Sequence, residues 1–141
     1  MIRIYPSCGA KNRVAPVHLT DTGRCGACRN PLPPVAEPLD VGGAEFDAIV
    51  SAVQVPVLVD FWAAWCGPCK LAAPEVAHTA ASASGRALVL KVDTERHPDL
   101  ASRFGVRNIP NFVVLKNGES VAQHAGLVDH RRMLAWLEAA S

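Results

Sequence analysis

Two cysteines three residues apart, Cys66 and Cys69, stand directly after an apolar run and before a helical one in Trp62-Ala63-Ala64-Trp65-Cys66-Gly67-Pro68-Cys69-Lys70. The approach, Pro56-Val57-Leu58-Val59-Asp60-Phe61-Trp62, is rich in β-branched and aromatic residues and reads as a buried strand of the parallel type. Leu71, Val76 and the neighbouring alanines read as a helix. A strand that leads into a helix in this way puts Cys66 at the helix N-terminus, where unpaired N–H groups and the helix dipole stabilise a thiolate. Pro68 falls in the first turn, the part of a helix that tolerates proline. Positions i and i+3 lie on neighbouring turns of one face. Cys69 can therefore attack a mixed disulfide formed at Cys66 and release the bound thiol.

A Cys-x-x-Cys pair is also half of many metal sites, but the apolar flanks here favour redox chemistry. The run Trp65-Cys66-Gly67-Pro68-Cys69-Lys70 resembles the active-site signature of the thioredoxin family. Under that resemblance Asp60, six residues before Cys66, matches the family's buried acid. Lys91, in Leu88-Val89-Leu90-Lys91-Val92-Asp93, matches its partner lysine. Asp60 also carries a physical argument of its own. A carboxylate in an apolar strand is costly unless paired, so its pKa should rise, which suits a proton acceptor for Cys69. The plainer alternative turns Asp60 to solvent at the strand end.

Asn108-Ile109-Pro110-Asn111 precedes the apolar run Phe112-Val113-Val114-Leu115 and resembles the family's cis-proline loop. A cis peptide there would leave the Ile109 backbone free to pair with an extended substrate segment; otherwise Pro110 simply breaks the chain before a strand. Asn111 departs from the threonine usual after this proline, which bears on substrate preference rather than on the fold. Gly126 matches a glycine that lets substrate approach this loop, or serves as an ordinary turn. The resemblance thus implies substrate binding by Trp65, Gly67, Pro68, Ile109, Pro110 and Gly126.

The remaining patterns agree with one fold. Phe46, Ile49, Val50 and Val53 recur at helical spacing ahead of the cysteine strand. Leu100 and Phe104 mark a short helix ended by Gly105. Lys116-Asn117-Gly118-Glu119 is a tight hairpin between Phe112 to Leu115 and Ser120 to His124. Met133, Leu134 and Leu137 belong to a last helix capped by Asp129. Pro74 falls inside the helix after the cysteines, where a kink is expected, and the family shares it. The fold class is α/β, a thioredoxin fold with a central mixed sheet flanked by helices, over residues 38–141.

Half of the 141 residues are hydrophobic, enough for a real core. Net charge is +1 but unevenly shared, at +3 for residues 1–37 and −2 for residues 38–141. Tyr5 is the only aromatic residue of the basic segment, so nucleic-acid binding is not expected. No apolar run has signal-peptide or membrane-span length; no membrane association and a cytoplasmic location are therefore expected, where a dithiol works as a reductant.

Ahead of the main domain, Cys25-Gly26-Ala27-Cys28 is half of a zinc ribbon, and sixteen residues lie between Cys8 and Cys25. The position three before Cys8 holds Tyr5 where the pattern needs a cysteine. This reads as a zinc-ribbon-like module over residues 1–33, a stiff proline-rich linker over residues 34–37, and the main domain over 38–141. The arrangement resembles the thioredoxin 2 type of the family, in which four cysteines close a zinc site; Cys8, Cys25 and Cys28 carry across. Three outcomes stand open: His18 supplies a fourth ligand, three thiolates bind zinc with water or a foreign ligand, or the metal is absent and the thiols are open to oxidation. As a lone histidine in a polar loop, His18 has mere exposure as its plainer reading. Metal loss should disorder residues 1–33 and spare the main domain.

The function expected is a thioredoxin-type protein-disulfide reductase, monomeric, with no bound organic cofactor. Its partners would be disulfide-containing proteins and thioredoxin reductase. NADPH would enter only through that reductase, since the chain has no Gly-x-Gly-x-x-Gly run. Rival readings are a disulfide oxidase or isomerase on the same fold, which Gly67-Pro68 argues against, and a zinc-regulated holdase or binding protein that uses the same groove without turnover.

Overall fold

The computed structural model describes residues 2–4 and 8–141. The N-terminal segment forms two small antiparallel ribbons, β1 (Ile2–Ile4) with β2 (Lys11–Arg13) and β3 (Gly23–Arg24) with β4 (Pro31–Leu32), joined through a 3-10 turn at Pro16–His18. The main domain follows as β5 (Leu39–Asp40), α1 (Gly43–Ala52), β6 (Val57–Trp62), α2 (Gly67–Ser82), β7 (Leu88–Asp93), α3 (Pro98–Arg103), β8 (Asn111–Lys116), β9 (Glu119–Ala125) and α4 (His130–Ala140).

Its five strands run in the order β5-β7-β6-β8-β9. Pairs β5/β7 and β7/β6 are parallel, and β6/β8 and β8/β9 antiparallel. Strand β6 is central, and its side chains alternate between two apolar layers. Val57, Val59 and Phe61 pack with Phe46 and Ile49 of α1 and Leu100 of α3. Leu58 packs with Ala72, Val76 and Ala80 of α2 and with Met133 and Leu137 of α4. Because both faces are covered, the strand reads as a continuous apolar run rather than an alternating one.

The local signals act as the pattern requires. Asn117 and Gly118 adopt φ of 51° and 81°, the paired left-handed conformations of a two-residue hairpin turn. Asp129 caps α4 by accepting a 3.0 Å bond from the Arg132 N–H. Gly105 ends α3 with φ of 63°. Pro74 lies within α2, which runs on through it from Gly67 to Ser82. No described helix is long and apolar enough to cross a membrane.

The N-terminal segment is anchored in the main core. Leu19 is fully buried in the cluster of Val41, Phe46 and Ile49, and Val35, inside the expected linker, joins the same cluster. The Val35 N–H donates to the Leu19 carbonyl at 3.0 Å, and the Ser84 hydroxyl donates to the Pro34 carbonyl at 3.4 Å.

Leu90→Ala, at a position fully excluded from solvent, is expected to cost about 2–5 kcal/mol. Val121→Ala on β9, where the residue is 54% exposed, should stay within about 0.5 kcal/mol. Urea midpoints at unchanged slope read both, and a Leu90→Ala loss under about 1 kcal/mol would contradict the two-layer packing.

Candidate active site

The C-terminal end of β6 delivers the chain through Ala63–Trp65 to Cys66, the residue that caps α2. Its Sγ accepts the Cys69 N–H at 3.1 Å, so one of the orphan donors of the first helical turn points at sulfur. Cys66 and Cys69 are joined as a disulfide with Cα atoms 5.2 Å apart. Both are largely buried, packed with Ala63, Trp62 and Ile109, while Trp65, Gly67 and Pro68 are exposed around them. The Trp65 indole N–H donates to the Glu95 carboxylate at 2.9 Å, which fixes the ring at the rim.

Opposite the disulfide lies the Ile109-Pro110 loop, whose peptide bond is cis. The Ile109 carbonyl oxygen sits 3.7 Å from Cys66 Sγ. Gly126, with φ of 105°, donates its N–H to the Pro110 carbonyl at 2.8 Å. The structure thus brings Trp65, Ile109, Pro110 and Gly126 together around one sulfur pair. Asn111 is buried and satisfied: its amide donates to the Asn108 carbonyl at 3.3 Å and its oxygen accepts from Gln123 at 3.0 Å. That pairing accounts physically for an amide where a hydroxyl is usual.

Behind the disulfide, Asp60 is 2% exposed and its Oδ1 has no hydrogen-bond partner among the described residues. It lines a cleft of about 410 Å³ together with Trp62, Cys69 and Lys91. Burial pushes its carboxyl up to about 7; the Lys91 charge pulls against this and the Asp40 carboxylate adds to it. Lys91 pairs in register with Asp60 across β6 and β7, and its Nζ lies 4.8 Å from the centre of the Trp62 ring. The solvent-facing alternative for Asp60 does not hold, because α2 closes this face of the sheet.

In the N-terminal segment the Sγ atoms of Cys8, Cys25 and Cys28 all lie within 4.8 Å of one another, with Cys8 and Cys25 at 3.5 Å. Corners of a zinc–thiolate tetrahedron with 2.3 Å bonds are about 3.8 Å apart, so the three sulfurs fit three corners of such a site. The turn that carries Cys25 and Cys28 is closed by Cys25 N–H to the Asn30 carbonyl and Arg29 N–H to the Cys25 carbonyl, both 2.9 Å. Asn12 of β2 holds it in place, donating to Cys25 Sγ at 3.5 Å and accepting from the Gly26 N–H at 2.8 Å. The Cys28 N–H, and after it the Asn12 amide, lower the Cys25 thiol to about 6, the direction a thiolate ligand needs.

His18 is not brought to this cluster. At the end of the 3-10 turn its Nδ1 lies 2.9 Å from the carboxylate of Asp21, three residues on, at the surface, so of the two readings of His18 the ligand one is corrected to the plainer, exposed one. Tyr5, singled out for its place in the cysteine pattern, lies outside the described residues. Glu95, Asn12 and Asp40 drew no attention in the sequence, since each matters through a residue at least thirteen positions away that no local pattern reveals.

Comparisons with known proteins agree with this geometry. The family model described as Thioredoxin matches residues 37–139. Thioredoxin C-3 of Corynebacterium nephridii is 38% identical over 138 residues, which cover 98% of this chain and 94% of the relative. A thioredoxin of Synechocystis is 39% identical over 98 residues, 70% of this chain and 92% of the relative. Among solved structures, a mutant thioredoxin from Halobacterium salinarum superposes with a TM-score of 0.68 at 39% identity, covering 74% of this chain and 91% of that one. With its disulfide at a helix N-terminus, facing a cis-proline loop, the chain belongs to the thioredoxin family and is a protein-disulfide reductase, a thiol–disulfide oxidoreductase.

Proposed function

We propose that Cys66 is the attacking thiol, that Cys69 resolves, and that the oxidised pair is re-reduced by thioredoxin reductase at the expense of NADPH, in the cytoplasm. The observation that carries this reading is the Cys69 N–H directed at Cys66 Sγ on the capped end of α2, with a buried carboxyl lining the cleft behind Cys69. The Cys66 thiolate attacks one sulfur of a substrate disulfide and expels the other as a thiolate. Cys69 then gives its proton to Asp60 and attacks Cys66 Sγ. The Cys66–Cys69 disulfide forms and the substrate leaves with both sulfurs reduced, two electrons having passed to it. The 410 Å³ cleft has room for a water between Cys69 and Asp60, and Lys91 steadies the carboxylate that results.

Substrate is held, in this reading, by Trp65, Gly67 and Pro68 on one side and by Ile109, Pro110 and Gly126 on the other. The Ile109 N–H has no backbone partner among the described residues and is open to an extended segment. The N-terminal residues 1–33 act as a zinc-holding module through Cys8, Cys25 and Cys28, whose thiolates suit zinc by distance and by softness. Zinc there would supply folding stability rather than chemistry.

Cys66→Ser is expected to abolish reduction of a disulfide-bonded test protein in an assay coupled to thioredoxin reductase, and Cys69→Ser to accumulate the mixed disulfide. Turnover surviving in Cys66→Ser would refute the assignment. Protein purified without chelator should carry about one zinc per chain by elemental analysis, lost in Cys25→Ser with reductase activity kept; metal-free parent protein would end the zinc reading.

The Asp60 proton also links stability to pH. The folded chain keeps it up to about pH 7 and the unfolded chain only to 3.8. The folded-state pKa being raised, the stabilisation is fully present below about pH 4 and is lost as pH rises through about 7. Asp60→Asn, which never ionises, should flatten this dependence and be more stable than the parent above pH 7 by roughly 2–4 kcal/mol. It should also slow release of the mixed disulfide about tenfold to a hundredfold. Urea midpoints that fall equally with pH in both proteins would contradict the burial cost assigned to Asp60.

A further inference from the structure

Three consecutive strands place Asp40, Lys91 and Asp60 in a single row across the sheet. Asp40 pairs with Lys91 between β5 and β7, and Lys91 pairs with Asp60 between β7 and β6. Paired positions in register point to the same face, and Leu58 and Val89, two residues earlier on their strands, fix that face as the one covered by α2. The row ends in Phe112 of β8 and His124 of β9, so no further carboxylate or cation stands beside Asp60 on that side. Two clefts meet at this row. Asp60 and Cys69 line the first, of about 410 Å³, with Lys70 the other charge from α2; Asp40 lines the second, of about 470 Å³, and Lys91 and Trp62 line both.

We propose that Asp40 is a positioning residue for the proton chemistry of the disulfide site, acting on Asp60 through Lys91, whose single charge the two carboxylates share. Lys91 is committed to neither. Among the described residues no ion pair within 4.0 Å joins it to Asp60 or Asp40, and its Nζ rests over the Trp62 ring. Asp40 is exposed at the sheet edge, and its negative charge draws the lysine toward the second cleft and repels negative charge at Asp60. Both effects keep the proton on Asp60 to higher pH, the sense in which the Asp40 charge contributes there. Asp93, Glu45, Arg96 and His97 also face the second cleft, two acids against a cation and an imidazole, but none of them occupies the row. Strand spacing puts the two carboxylates about 10 Å apart. At that distance a surface charge moves a buried titration by about 0.3–1 pH unit.

This inference rests on the reading of Asp60 as the proton acceptor for Cys69, and its test separates the two. In the full-length oxidised protein, the Asp60 carboxyl is titrated by its carbon-13 resonance, and the pH profile of kcat/KM for a disulfide-bonded test protein is recorded. Asp40→Asn should lower the Asp60 midpoint by about half a pH unit and carry the rate profile the same way. Asp40→Glu should restore the parent values. Glu45→Gln, an equal charge change in the same cleft but off the row, should move the midpoint less than half as far. An unmoved Asp60 midpoint in Asp40→Asn, or an equal shift in Glu45→Gln, overturns the proposal. A midpoint that moves while the rate profile stays fixed upholds the coupling of Asp40 to Asp60 across the row and refutes instead the part given to Asp60 in the exchange.

Discussion

Strand β6 lies in the middle of the sheet with no free edge and no wet face. Its alternating side chains must satisfy two apolar layers at once, Val57, Val59 and Phe61 toward α1 and α3, Leu58 toward α2 and α4. One polar residue, Asp60, interrupts this pattern on the α2 side. The same strand that is most tightly held also ends at the cysteines, so the rigidity of the core is handed to the reactive sulfurs. A loop with its own freedom would hold Cys66 less firmly than a cap fixed by the first turn of a sixteen-residue helix.

Around the sulfurs, the chain sets polar backbone against apolar surface. The Cys69 N–H reaches Cys66 Sγ from the helix side and the Ile109 carbonyl faces it from the loop side. The first favours negative sulfur and the second a protonated one. The pair therefore brackets the thiol between the states it must visit in one cycle. Asp60 makes a similar compromise on a larger scale, since burial alone would hold it neutral and Lys91 alone would ionise it. A carboxyl kept near 7 by opposing forces can both take a proton and return it.

What the sequence revealed was what local chemistry encodes. Asn117-Gly118 announces its hairpin because two adjacent left-handed residues are needed, and Asp129 announces α4 because the cap bonds a residue three positions on. The cysteine site was legible for the same reason, as strand, turn and helix follow one another along the chain. Contacts that depend on which strand lies beside which stayed hidden. Asp40 reaches Lys91 only through the parallel crossover that sets β5 against β7, and Trp65 reaches Glu95 thirty residues away. His18 looked eligible as a ligand because its chemistry is right, but it closes the 3-10 turn with its ring against Asp21, three residues away. The spacing of Cys8, Cys25 and Cys28 carried further, since short ribbons with closed turns leave their sulfurs little choice but to converge.

Leu19 gives the division of the chain a different meaning. The family match begins at residue 37, yet this leucine, eighteen positions earlier, sits fully buried among Val41, Phe46 and Ile49. The border between the two segments is thus a border in composition and in the reach of the family model, and not in the interior. Trimmed to its family portion alone, the chain would present an open apolar socket beside α1, a sticky surface that Leu19 and Val35 fill among the described residues.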